Sequence, residues 1–385
     1  MAHAILSASG ASRWMACTPS ARLEEQFPDS TSEYAKEGTL AHELCELKVR
    51  KNLIEPMHTR TYNSKLKKIK EHELWQDEMD RHTDTYLEYI QGLLHSFSCT
   101  PAVMVEKKVD FSSYVPDGFG TADCIIIAEG VLHVIDFKYG KGVAVSAENN
   151  SQMKLYGLGA YLEYSFLYAI DKVKMTIVQP RLDEVISEYE ISVTELMEWA
   201  EEIVKPLAEK AYKGEGTYIA GNHCKFCRAK ATCRERARMN LEVAKFDFKE
   251  PALLSDEEVG EALKQAQDLA KWAEDLKDYA LAESLKGKLI PGWKAVEGRG
   301  SRVFTDNEEA LKVLMGSGID ETMLYERKQL TLAQIEKVLG PKQFKELVGN
   351  MVEKSPGKPT LVLDTDKREA ISNKTTAVED FKEEI

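Results

Sequence analysis

Asp123 and Asp136 each interrupt an apolar run, TADCIIIA at 121–128 and VLHVIDF at 131–137, where core packing would prefer no charge. The runs flank Glu129-Gly130, a two-residue turn signal, and the pattern predicts a β-hairpin. Lys138 lies two residues past Asp136, on the same face of a strand of period 2. A hairpin register can bring the two acids together at one strand end with Lys138 beside them. Clustered carboxylates repel one another unless a cation sits between them, and a lysine at their edge can orient or deprotonate a water. The chemistry such a group serves is metal-assisted hydrolysis of a phosphodiester.

Asp123 followed by Asp136-Phe137-Lys138 resembles the PD-(D/E)xK nuclease signature, with Ala122 in place of the usual proline. Gly120-Thr121-Ala122-Asp123 is similar to the Gly-x-x-Asp form of the RecB-like branch. Gln152 and Tyr156 supply a further mark of that branch, Gln-x-x-x-Tyr, and at i and i+4 they share one helix face. Gly38-x-x-x-His42 resembles its first motif. This resemblance implies a restriction-endonuclease-like core and a catalytic set of Asp123, Asp136, Lys138, Gln152 and Tyr156. It implies Mg²⁺ or Mn²⁺ held by Asp123, Asp136 and His42. Glu106, on a strand around 102–111, is either an outer acid or second-metal ligand of such a site, or an ordinary charge on a half-exposed strand. The implied activity is a deoxyribonuclease, an exonuclease on single strands or duplex ends. It would work beside phage replication or recombination proteins.

Cys224, Cys227 and Cys233 form a second cluster. Zinc or an iron–sulfur cluster needs four such ligands, so one must come from elsewhere. The spacing resembles the iron–sulfur staple of AddB and of CRISPR-associated RecB-like exonucleases. There the fourth cysteine precedes the histidine helix, which implies Cys17, with Cys45 the runner-up, and a 4Fe-4S cluster. The alternative is Zn²⁺, with His223 or Cys17 as fourth ligand. The same segment carries Lys225, Arg228, Lys230, Arg234, Arg236 and Arg238 against Glu235. Arg228, Lys230 and Arg234, with Lys141 in the Gly140-Lys141-Gly142 loop, are candidates for DNA phosphate contact; a solvated helix surface is the plainer reading. Lys65, Lys67, Lys68 and Lys70 allow the same two readings.

The elements that must position these residues follow from periodicity. A helix capped by Thr39 carries His42, a helix spans 77–97, and a helix over 148–169 carries Gln152 and Tyr156. A strand starts at Met175, and a helix follows Ser192. From about residue 246 the character changes. Ser255-x-x-Glu258 is a capping box opening a long amphipathic helix to about Leu285. A hairpin turns at Gly298-Arg299-Gly300, Asp306 and Thr331 cap further helices, and an extended segment spans 358–371. The fold class is α/β (α+β), a mixed sheet flanked by helices, divided as 1–245 for the nuclease domain with its staple, 246–366 for a mainly helical region with a hairpin, and 367–385 for a disordered tail. The resemblance covers about residues 7–240. The later arrangement resembles a phage and prophage protein family grouped with RecB-like nucleases.

Composition sets the outer limits. At 43% hydrophobic and 30% charged residues, the chain has the make-up of a globular protein. A net charge of −13 argues against a protein that coats nucleic acid non-specifically, though it leaves room for a basic groove. No apolar run approaches the ~20 residues of a membrane helix. The first residues lack a basic signal-peptide start. The expected place is the bacterial cytoplasm, where the seven cysteines imply metal binding or free thiols. A catalytically inactive DNA-binding scaffold, or a replication adaptor stabilised by an iron–sulfur or zinc site, is the alternative to the nuclease.

Overall fold

The chain reverses at Glu129 and Gly130, whose φ angles of 52° and 78° give the type I′ turn that matches the twist of two antiparallel strands. The computed structural model describes residues 4–28, 33–54, 57–183, 185–242, 255–296, 306–317, 324, 332–348 and 351–352. Around the turn, β2 (Phe119–Ala128) pairs with β3 (Val131–Phe137). Outside β2 lies β1 (Ala102–Asp110), antiparallel to it. Beyond β3 lie β4 (Lys172–Val178), parallel to β3, and β5 (Ile186–Ser192), antiparallel to β4. The strand order is β1-β2-β3-β4-β5. A parallel step needs a crossover, which the helix Ser151–Tyr164 provides.

Numbered along the chain, the helices of the first compact unit are α1 (Ala11–Ala16), α2 (Ser20–Glu24), α3 (Glu33–Val49), α4 (Thr59–Lys70), α5 (Glu78–Ser96), α6 (Ser151–Tyr164), α7 (Val193–Trp199), α8 (Lys205–Lys213), α9 (Arg234–Leu241) and α10 (Asp256–Leu285). They cover both faces of the sheet. Ile125, Ile127, Leu132 and Val134 point into one core with Leu155 and Leu158 of α6 and Leu196 of α7. Cys124, Ile126, Ile135 and Phe137 point into the other, with Leu40 and Leu44 of α3 and Met79, Tyr86 and Ile90 of α5. Burial on both faces is why the central strands read as unbroken apolar runs, and it makes an acid in either run conspicuous. The protein is thus α+β, a five-stranded mixed sheet flanked by helices. Among the described residues no helix is long and apolar enough to cross a membrane.

Three expectations change. Helix α3 does not start after Thr39: it begins at Glu33, and the Thr39 hydroxyl back-bonds to the Ala35 carbonyl at 3.0 Å. Strand β5 follows a pattern too polar to announce itself. The boundary placed at 245 also moves, because the first compact unit runs to Val296 and α10, opened by the Ser255–Glu258 capping box, packs on α9. The second unit, Glu297–Ile385, contains α11 (Asn307–Gly316, capped by Asp306), α12 (Leu332–Leu339) and α13 (Pro341–Val348). The turn at Gly298-Arg299-Gly300, the cap at Thr331, the extended segment 358–371 and the tail lie outside the described residues.

His133 on β3 makes the fold sensitive to acid. It is 6% exposed, its Nδ1 has no hydrogen-bond partner among the described residues, and Lys174 pairs beside it on β4. Burial, then the Lys174 charge, push its pKa down to about 4 from 6.5. The unfolded chain therefore binds the extra proton between these values, and stability falls as pH drops through that window. The expected loss from pH 7 to pH 5 is on the order of 2 kcal/mol. Denaturant unfolding of His133→Leu at both pH values should show a drop smaller by that amount; parallel profiles for variant and parent would contradict this account of His133.

Candidate active site

The hairpin register places the acids. Cys124 pairs with Ile135, and one further residue along the same register sets Asp123 across from Asp136. On the other side of β2, Val105 pairs with Cys124 and Lys107 with Ala122, so Glu106 stands across from Asp123. Three carboxylates therefore stand abreast on three adjacent strands. Glu106 holds a φ of 50°, left-handed for a non-glycine residue within a strand, a conformation costing about 1–3 kcal/mol. Backbone strain thus sits beside the acids.

Helix α3 brings His42 over this row. The Gly38-to-His42 spacing puts the carbonyl of Gly38 under the ring, where it accepts from Nδ1 at 2.8 Å. Nε2 is left facing Asp123 Oδ2 at 3.5 Å. Burial opposes a charged ring here, yet the hydrogen bond and charge of Asp123 outweigh it and lift the pKa to about 9. Asp123 also accepts the Phe137 N–H at 2.7 Å. Burial would raise its pKa, but His42, that N–H and Lys138 hold it below the usual carboxylate value. Asp136 goes the other way: it is 3% exposed, and burial together with Asp123 raises it. Lys138 Nζ stands 2.8 Å from Asp136 Oδ2, and among the described residues that oxygen has no other partner. Glu106 is pushed up to about 7 by burial and then by Asp123. Cys45, Glu46, Val49, Tyr86, Val105 and Phe137 line the same cavity as His42, Glu106 and Asp123. Glu46 and Cys45 are absent from the sequence-based site, although Glu46 lies four residues after His42 on one helix face.

Two sequence motifs meet on α6. Gln152 Nε2 donates to Tyr156 Oη at 3.0 Å. The Tyr156 ring lies against Gly120, where a Cβ would come within 2.6 Å of Cε1. Glycine at the first position of Gly-x-x-Asp therefore admits the tyrosine of Gln-x-x-x-Tyr. Burial, then Asp136, push the Tyr156 hydroxyl up to about 12, so it stays a neutral phenol.

Cys17, Cys224, Cys227 and Cys233 line one other cavity, together with Arg13, Tyr218, His223, Lys230 and Arg236. Cys45 lines the acid cavity instead, Cys99 is exposed, and Cys124 is buried in β2. Residues 13–24 are tied to the 215–228 segment here independently of any metal. Arg13 pairs with Glu24 at 2.7 Å, Glu24 accepts the Arg228 N–H at 2.8 Å, and Thr18 donates to the Glu215 carbonyl at 2.6 Å. A hydrogen bond with Cys17 raises the pKa of His223.

Among the described residues, no three His, Cys, Asp or Glu side chains stand in a ready-made ligand arrangement. The residue types nonetheless fit. Carboxylate oxygens with one imidazole, and a buried Asp136 oxygen with no partner but Lys138 among the described residues, suit Mg²⁺ or Mn²⁺. Four thiols on one cavity suit an iron–sulfur cluster or zinc.

The basic segment divides in two. Arg228 and Arg234 are exposed, as is Lys141. Lys230 is partly buried and pairs with Asp275 at 3.0 Å. Arg236 is no surface cation: its side chain is wholly buried, 3.1 Å from Asp268 and 2.7 Å from Asp275. Trp272 Nε1 donates to the Ala231 carbonyl at 3.0 Å. These contacts hold α10 against the 230–236 segment.

Fold and site together define an α+β protein with a strand-end acid cluster and a separate four-cysteine cavity. Residues 3–369 match the model of the family described as protein of unknown function (DUF2800), and the chain belongs to that family. It is also similar to a solved structure titled "Crystal structure of SSO0001", at 16% identity and a TM-score of 0.25, over 57% of this chain and 95% of that one.

Two outcomes follow for the cysteine region. Asp275→Ala removes one of the two acids that enclose Arg236, and the partner of Lys230, and should destabilise the first unit by about 2 kcal/mol, measured by chemical denaturation; an unchanged midpoint would mean that α10 is not held this way. If the four thiols hold a metal centre, Cys17→Ser should purify without it, whereas Cys45→Ser and Cys99→Ser keep it. Metal and sulfide analysis decides, and a colourless Cys45→Ser beside a fully loaded Cys17→Ser would reverse the ligand assignment.

Proposed function

We propose that the protein is a metal-dependent deoxyribonuclease. The observation that carries this reading is the row of Glu106, Asp123 and Asp136 on three adjacent strands, with His42 over Asp123 and Lys138 2.8 Å from Asp136. Asp123, Asp136 and His42 would hold Mg²⁺ or Mn²⁺, with Glu106 beside them. Such an ion, when bound, neutralises the carboxylates and the phosphate and supplies an acidified water. Lys138 donates hydrogen bonds to the attacking water and to the phosphate oxygen on which charge builds. Tyr156, held by Gln152, would with it hold the lysine or the DNA strand. Cys17, Cys224, Cys227 and Cys233 would hold a 4Fe-4S cluster that fastens the start of the chain to the 224–233 segment. Hydrolysis consumes no electrons, so its part is structural. The sequence resemblance extends this reading to an exonuclease in phage DNA replication or recombination.

End-labelled single-stranded and duplex DNA, incubated with Mn²⁺, Mg²⁺ or chelator, tests the reading. Cleavage should require the divalent ion. Asp136→Asn should lose about 100-fold or more of the rate and, because it relieves two facing carboxylates, should melt no lower than the parent in chelator. Lys138→Ala should keep DNA binding and lose turnover. Divalent-dependent cleavage retained by Asp136→Asn would contradict the assignment.

A further inference from the structure

Gln179 follows β4 and is 3% exposed. Its side-chain amide is spent on one loop. Nε2 donates to the carbonyls of Gly140 at 2.6 Å and Val143 at 2.9 Å, and Oε1 accepts the Val145 N–H at 3.0 Å. Among the described residues, every hydrogen bond made by the backbone of residues 140–145 goes to this side chain. The loop leaves β3 directly after Lys138 and Tyr139. Its tip, Gly140 to Ala144, is exposed, and Val143 is 60% exposed. Lys141 stands there between two glycines and pairs with no carboxylate among the described residues.

The turn that carries Gln179 is itself fixed. Gln179 N donates to the Val185 carbonyl at 2.7 Å, and Lys138 N donates to the Val178 carbonyl at 2.9 Å. Arg181 is clamped between Glu37 of α3 at 2.9 Å and Glu78 of α5 at 2.7 Å, with its guanidinium 4.5 Å above the Tyr139 ring. A buried primary amide offers two donors and one acceptor oxygen, and here both donors and the acceptor are used on a segment that has no other such support. Two glycines around Lys141 leave the free loop many conformations to lose on binding. A side chain that fixes them in advance removes that cost from the encounter with a ligand.

We propose that Gln179 is a positioning residue that presents Lys141 to a phosphate of the nucleic-acid strand entering the acid cluster. The proposal rests on the nuclease reading above and assigns the substrate grip of that site to one buried amide. Gln179 touches neither the acids nor the strand and acts through the loop.

The test combines limited proteolysis with steady-state cleavage of end-labelled DNA, for the full chain, Gln179→Ala, Gln179→Glu, Lys141→Ala and the double variant. Trypsin should nick after Lys141 several-fold faster in Gln179→Ala than in the parent. Gln179→Glu, which places an acceptor against two carbonyls, should behave alike. Gln179→Ala and Lys141→Ala should each raise KM several-fold with kcat little changed, and the double variant should be no worse than either, because one contact is lost in all three. A parent that cuts DNA, with Gln179→Ala showing unchanged KM, a loss confined to kcat, or effects additive with Lys141→Ala, overturns the proposal and leaves the nuclease reading intact. Equal nicking of parent and variant overturns it too. A well-folded parent that neither binds nor cuts DNA with any divalent ion removes the nuclease reading, and the proposal with it.

Discussion

Two carboxylates, Asp136 buried and Asp123 half-buried, face each other on neighbouring strands and repel, and the structure around them is arranged to hold that repulsion. The two-residue turn at Glu129 and Gly130 sets the β2–β3 register, and continuing that register places Asp123 opposite Asp136. Relief comes from outside the hairpin. His42 answers Asp123 from α3, and Lys138 answers Asp136 from the strand's own exit. Asp136 is still left with a raised pKa and an oxygen with no partner but Lys138 among the described residues. The left-handed Glu106 adds strain at the same place. Opposed charge and backbone strain thus gather at one strand end.

The cysteine region solves a different problem. Its cavity draws residues from the start of the chain, from the loop after α8 and from the beginning of α9. Short helices such as α1, α2 and α9 cannot hold themselves. The Arg13–Glu24–Arg228 chain of contacts and the buried Arg236 between Asp268 and Asp275 supply a polar frame around the thiols. A metal centre there would add a cross-link between distant segments, whose constraint on the unfolded chain grows with the length of the closed loop.

What the sequence disclosed depended on whether the deciding force was local. The hairpin was legible because its turn and two apolar runs are local signals, and its acids stood out by breaking them. Gln152 and Tyr156 were legible as a helix face. Glu46 and Cys45 were not, because which face of α3 meets β1 is set by packing across the sheet. The strain at Glu106 leaves no sequence mark at all. Arg236 was misread with its neighbours as a surface cation, since a run of charges does not reveal that two aspartates on a later helix will enclose one of them. That same enclosure is why a boundary drawn from composition at 245 cut through a packed unit. Helix α3 started early because Tyr34 to Glu37 propagate a helix well enough to carry it through Gly38.

The central claim is that the conflict between Asp123 and Asp136 exists to bind a divalent cation. Diffraction from crystals grown with Mn²⁺, recorded near the manganese absorption edge, tests it most directly. The account predicts an anomalous peak between the two carboxylates, within ligand distance of His42, with Lys138 withdrawn from its contact with Asp136. An empty site at saturating Mn²⁺, with the Lys138–Asp136 and His42–Asp123 pairs intact, would contradict it.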